Sequence, residues 1–292
     1  MRLSPEAVYR NHLSDNPECL TTALDMVIPS SPTGDSAVTR LTRQLCFEPA
    51  RLDETTLPPL CEQLPQIVDH GLRQVALAET VLTDPAIQDR LPGWFDSGLF
   101  SHVLLAADVG LAFVPHDEVL RIHQNGPKSA EFYTRHPEYG YQMASALSQP
   151  GNEQSQMLAL LIARHHATQA KHSYGLTWQQ IGSQEINPDR IDLTILLQKA
   201  FDYFDDFFGR PTTGTRDFVA QARAPLERFS ATYDELLSAN PELVHQMQQN
   251  GFDTTLPKFI SAAILETVID PQSAVGAVYR GHRPDLASSH SR

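Results

Sequence analysis

The sequence predicts an all-α fold, and three observations carry that prediction. Between Pro188 and Phe208 the apolar residues Leu193, Leu197, Phe201, Phe204 and Phe208 recur at spacings of three and four, one stripe of a helix. Five prolines follow a capping residue, as Ser4-Pro5, Asp84-Pro85, Asn187-Pro188, Asn240-Pro241 and Asp270-Pro271. Proline is favoured at the first helical position because its missing N–H costs nothing there, while Ser, Asp and Asn cap the exposed donors. Clear period-two alternation between hairpin turns, the mark of half-buried strands, is not found along the chain.

The elements follow in order. Residues 1 to 60 are expected to form a small helical N-terminal extension. It contains the linker-like stretch Ile28 to Asp35, with a second candidate linker at Leu57 to Pro59. A helix is expected from about Leu64 to Val81, and another ending near Ala107. His136 reads as the N-cap of a further helix, its ring facing a cleft rather than a core. The stretch Glu153 to His166 reads as helix, with Met157, Leu160, Leu161 and Arg164 in its later turns. Pro188 to Phe208 is the clearest helix, and Gly209 and Gly251 stand where glycines end helices. The expected organisation is an extension over 1–60, a main domain over 61–255, and a C-terminal helix with a polar, frayed tail over 256–292.

Composition narrows the function. With 292 residues, 41% hydrophobic and 20% charged, the chain is globular. Its 35 acidic residues outnumber 22 basic ones, giving a net charge of -13. That excludes a nucleic-acid polymer as partner, since polyanion binding needs a basic surface. One small nucleotide in a locally basic pocket remains compatible. Cys19, Cys46 and Cys61 form no C-x-x-C and read as reduced thiols. The N-terminus has no apolar h-region. The longest apolar run, Val103 to Val114, is interrupted by Asp108 and Gly110, and a bilayer span needs about 20 residues. The expectation is a soluble, cytoplasmic protein with no membrane partner.

The 12 histidines are uneven: eight lie between His70 and His172. Histidine is the commonest metal ligand and acid–base residue, so this clustering points to chemistry. The adjacent pair His165-His166 closes an apolar helix, its side chains about 100° apart. Asp108 lies within Leu104-Leu105-Ala106-Ala107-Asp108-Val109-Gly110, where a carboxylate is costly to bury unless paired or metal-bound. Asp202 sits beside the apolar stripe of its helix.

Taken in order, five segments resemble the HD superfamily of metal-dependent phosphohydrolases. The match is with the HD-GYP branch, associated with hydrolysis of cyclic di-GMP. The segments are His70-Gly71-Leu72-Arg73, then Ala107-Asp108-Val109-Gly110-Leu111, then His136-Pro137-Glu138-Tyr139-Gly140. His165-His166-Ala167 follows, with Ser173-Tyr174-Gly175 after it, and last comes Asp202-Tyr203-Phe204-Asp205. They cover about 65 to 250. Five positions depart from the family pattern. Ala107 replaces the HD histidine, Leu111 the following lysine and Ala167 a glutamate, and Ser173-Tyr174-Gly175 keeps only the tyrosine of GYP.

The resemblance implies an HD-type helical bundle and a divalent metal cofactor, Fe, Mn or Zn, as one or two ions. Asp108 would be catalytic and would bridge the metals. His136, His165 and His166 would complete one site. His70 and Asp202 would serve a second, weakened by Ala107. Arg135, Arg164, Lys171, Tyr174 and Arg210 would face the substrate, a nucleotide or other phosphoester. The expected activity is metal-assisted phosphodiester hydrolysis on a nucleotide such as cyclic di-GMP. The alternative is a degenerate domain that binds metal or nucleotide as a signalling or protein-interaction module. A homodimer or a signalling partner protein stays open.

Overall fold

A computed structural model of the chain describes residues 70–71, 73–113, 131–147, 152–167, 174–182, 186–208 and 218–281. The expected N-terminal extension, both linkers and the polar tail lie outside these residues. Among the described residues the regular structure is entirely helical. The all-α class is therefore what the sequence predicted. No helix among them is long and apolar enough to cross a membrane.

Helix α1 covers 73–81, with His70 and Gly71 also helical. It is followed by α2 (Pro85–Gln88) and α3 (Ser97–Ala106), which runs into a 3-10 segment (Ala107–Phe113). Next come α4 (Glu131–Thr134), α5 (His136–Leu147), α6 (Glu153–Arg164) and α7 (Trp178–Ile181). The long α8 (Pro188–Phe208) precedes α9 (Phe218–Ala239), α10 (Pro241–Gln249), α11 (Leu256–Ile269) and α12 (Ala274–Gly281).

Several starts follow the predicted capping logic. Asp84 accepts from the Ala86 N–H at 2.8 Å, and Asn187 from the Asp189 N–H at 3.0 Å, each just before a proline. Gly251 follows α10 with φ of 64°, the left-handed conformation that glycine adopts without strain. Asp270-Pro271 is a correction: it does not open a helix. Asp270 closes α11 and its carboxylate accepts from the Gln272 N–H at 2.9 Å, a local turn. The start of α12 is set instead by Ser273, whose hydroxyl accepts from the Gly276 N–H at 2.9 Å.

The chain divides into two compact units, each discontinuous in sequence. The first takes residues up to Leu72 and His102–Ile191. Here α5 packs against both α6 and the 3-10 segment. Six consecutive residues of α6, Leu158 to Ala163, are buried, so its second half is enclosed on all sides. The second unit takes Arg73–Ser101 and Asp192–Arg292. In it α9 packs on α10 and α11, and α11 also meets α2 and α12. Leu193, Leu197, Phe201 and Phe204, four of the five predicted stripe residues, are buried there. Phe201 meets Phe100 edge-on at 5.7 Å, and Phe204 meets Tyr279 at 5.3 Å.

Within the second unit Arg73 grips Asp205 through two charge-assisted bonds, Nε to Oδ1 at 2.9 Å and the terminal nitrogen to Oδ2 at 2.7 Å. Arg73 closes the first motif segment and Asp205 closes the fifth. Their conjunction is structural, because the Asp205 carboxylate is wholly buried (0% exposed).

Candidate metal centre

The first unit brings Asp108, His136, His165 and His166 together. One ligand atom from each lies within 4.8 Å of all the others. Asp108 comes from the 3-10 segment, His136 is the first residue of α5, and His165 caps the C-terminus of α6. The carboxylate Oδ1 of Asp108 stands 3.2 Å from His136 Nε2 and 3.5 Å from His165 Nε2. Its other oxygen, Oδ2, stands 3.2 Å from His70 Nε2.

Two local contacts fix which imidazole nitrogens face inward. His136 Nδ1 lies 2.6 Å from the Tyr133 carbonyl oxygen, and His165 Nδ1 lies 2.6 Å from the Ile162 carbonyl oxygen. A carbonyl can only accept, so both Nδ1 atoms carry the proton. In the neutral rings both Nε2 atoms therefore present lone pairs. They face one another at 3.0 Å, beside the Asp108 carboxylate. Two lone pairs and an anion converging on one point repel unless a positive charge lies among them. Atoms about 2.1 Å from one centre and about 90–110° apart lie about 3.0–3.4 Å from each other, matching these separations. The residues present fit a metal ion.

Close backbone approach makes the cluster. A Cβ on Gly110 would overlap the His136 carbonyl and stand 2.7 Å from the Gly140 amide nitrogen. Only glycine lets the 3-10 segment reach α5 this closely, and so lets Asp108 reach His136. Gly71 does the same for His70: its Cβ would fall 2.8 Å from the Leu105 carbonyl oxygen.

Electrostatics keep Asp108 ionised. Burial pushes its carboxyl up, but its imidazole neighbours His136, His165 and His70 outweigh that and hold it well below the usual carboxylate range. His136 itself is wholly buried (0% exposed), which corrects the expectation of a ring facing a cleft. Its ring turns inward because its Nδ1 is bonded to the preceding turn.

His166 is held by stacking. Its ring centroid is 4.2 Å from that of His165 and 4.2 Å from that of Tyr174. Tyr174 is kept there by the main chain after it. The Leu176 N–H donates to the Ala163 carbonyl at 3.0 Å, and Arg164 donates to the Leu176 carbonyl at 2.9 Å. Arg164, expected near substrate, is buried, and its guanidinium lies 4.9 Å from the Trp178 ring centroid. Arg135 pairs with Glu138 at 3.0 Å and lies over the Tyr139 ring. Lys171 and Arg210 fall outside the described residues.

Asp202 belongs to the second unit. Its Oδ2 accepts from Lys199 Nζ at 2.9 Å and its Oδ1 from Gln74 Nε2 at 3.5 Å. Lys199 and Gln74 were not foreseen, although Lys199 stands three residues before Asp202, on the same helix face. The two carbonyls that set the histidine tautomers leave no trace in residue type. No family model matches this chain, and neither does any curated protein or solved structure.

Proposed function

We propose that the chain is a metal-dependent phosphoester hydrolase of the HD-GYP type, acting on a nucleotide such as cyclic di-GMP. The observation that carries this reading is the inward-facing Nε2 pair of His136 and His165 against Asp108 Oδ1. Asp108, His136, His165 and His166 would hold the ion. Three imidazoles and one carboxylate suit Fe, Mn or Zn better than Mg, which favours an all-oxygen shell. A divalent cation bound there supplies Lewis acidity toward a phosphoryl oxygen and acidifies water near it. The chain's own part is to keep Asp108 anionic, to fix both imidazole tautomers, and to enclose the donors in a low-dielectric wall.

A second reading, a domain that binds metal or nucleotide without turnover, is favoured by the arginines. Arg135 is committed to Glu138 and Arg164 to the Leu176 carbonyl, so neither guanidinium is held ready for a phosphate. The experiment is to load the chelator-stripped full chain with Mn(II) or Fe(II) and assay cyclic di-GMP hydrolysis. Turnover that vanishes in Asp108→Asn supports the hydrolase. Metal bound without turnover selects the binding domain, and no bound metal refutes the hydrolase and leaves only nucleotide binding to the second reading.

A further inference from the structure

The ring of His166 leans on a segment that follows it in sequence. Tyr174, stacked on that ring at 4.2 Å, leads a short strap, residues 174–178, across the end of α6. Leu176 is tied to that end on both sides of its residue. Its N–H donates to the Ala163 carbonyl at 3.0 Å, and its carbonyl accepts from Arg164 Nη1 at 2.9 Å. Gly175 has a φ of 118°, and a Cβ there would stand 3.0 Å from the Ala163 carbonyl oxygen, 3.6 Å from the Ala167 amide nitrogen and 3.8 Å from the Pro137 Cβ. The strap therefore runs against the chain neighbours of both His136 and His166. Its far end is a capping box. Thr177 Oγ1 accepts from the Gln180 N–H at 3.3 Å, and Gln180 Oε1 accepts from the Thr177 N–H at 2.8 Å. That fixes Trp178 at the start of α7, where the Arg164 guanidinium lies 4.9 Å from its ring centroid. Arg164 is buried. Burying a guanidinium is costly unless it is given partners, and Arg164 directs its charge at the Leu176 carbonyl and the Trp178 ring, two points of one strap.

We propose that Arg164 is a positioning residue of the metal centre. It clamps the 174–178 strap onto α6, so that Tyr174 holds the His166 ring toward the ion. This rests on the metal-site reading above and deepens it, giving a buried arginine a role in metal affinity.

The test is a double-mutant cycle on the chelator-stripped full chain, with Zn(II) affinity read by competition with a chromophoric chelator. Arg164→Met keeps a long side chain and removes the donor. It should weaken Zn(II) binding about 10–100-fold, the range for groups that orient a ligand. Arg164→Lys, which retains a donor and the charge, should fall between that variant and wild type. In a Tyr174→Ala background, where all four ligands remain, Arg164→Met should change the affinity by no more than about twofold, because its effect passes through Tyr174. An Arg164 that only stabilises the fold would weaken both backgrounds alike, and that result would overturn the proposal. Wild-type affinity in Arg164→Met would overturn it as well. If circular dichroism shows that Arg164→Met does not fold, Trp178→Ala, which takes away the ring under the guanidinium, goes through the same cycle. It should weaken Zn(II) several-fold in the wild-type background and leave the affinity unchanged beside Tyr174→Ala, and equal losses in both would again overturn the proposal. No Zn(II) bound by the wild-type chain would instead refute the metal-site reading itself.

Discussion

His136 and His165 point their Nε2 atoms at each other across 3.0 Å, each ring locked by a 2.6 Å bond from Nδ1 to the carbonyl three residues earlier. The second nitrogen of each ring is thus spent on orientation, which leaves the first available only for a cation.

The aromatic neighbour of His166 is expected to matter for metal affinity. Tyr174 lies over that ring at 4.2 Å, its plane tilted by 30°. Tyr174→Ala removes the support and should weaken Mn(II) binding about 10–100-fold, the range seen when groups that orient ligands are lost. Tyr174→Phe keeps the stacked ring and should bind within a few-fold of wild type. Isothermal titration of the stripped chain with Mn(II) reads both values. Equal affinities for the Ala and Phe variants would remove Tyr174 from the account.

Gly110→Ala should damage both stability and site. The new Cβ would collide with the His136 carbonyl and the Gly140 amide, both of them backbone and unable to swing aside. Overpacking of this kind costs about 1–3 kcal/mol. Denaturant unfolding should show that loss, and metal affinity should fall with it because the collision displaces His136. Gly93→Ala is the control, since a Cβ there meets nothing within 4 Å.

Arg73 and Asp205 form a buried pair in which neither charge tolerates loss of the other. Asp205→Ala takes the carboxylate away from the buried Arg73 guanidinium, and should cost about 3–5 kcal/mol. A double variant, Arg73→Met with Asp205→Leu, should recover much of that loss, since apolar pairs of similar volume often replace buried ion pairs without penalty. Thermal unfolding of the three proteins measures the coupling. If the double variant is as unstable as the single one, the pair is not the cause.

Asp253 carries a pH signature away from the site. Burial pushes its carboxyl up, but the Thr255 amide and hydroxyl and the Arg90 guanidinium outweigh that and hold it below the ordinary value. A carboxylate lowered in the folded state contributes stability above its unfolded value, about 3.9, and loses it as the pH falls toward the folded value. Asp253→Asn should therefore destabilise the chain at pH 7 by under about 1 kcal/mol, a small effect because the pair is solvent-exposed. The difference from wild type should shrink as the pH falls below about 4, as urea midpoints at pH 7 and pH 3 would show. A gap that is constant with pH would exclude the charge as its source.

Much of the fold was legible because helices write their starts and stripes locally. Asn187, Pro188 and the Leu193-to-Phe204 stripe give α8 its bounds without reference to anything distant. Asp270-Pro271 misleads because the same residue types also make turns, and Asp270 uses its carboxylate on Gln272. The ligand residues of the centre were visible as a histidine cluster with one aspartate in an apolar run. Their arrangement was not, because it depends on contacts between segments far apart in sequence. Gly110 against the His136 carbonyl and Tyr174 against His166 are of this kind. Lys199 was overlooked for another reason: an i,i+3 ion pair ordinarily lies on a solvated face, and here the lysine is buried.

The central claim is that Asp108, His136, His165 and His166 bind one divalent cation through imidazole nitrogen. X-ray absorption at the metal edge of the Zn(II)- or Mn(II)-loaded full chain tests it most directly. The account predicts a first shell containing nitrogen, with the outer-shell scattering of about three imidazoles, and for Zn(II) a nitrogen distance of about 2.0–2.1 Å. A shell of oxygen alone, unchanged in His136→Ala and His165→Ala, would contradict it.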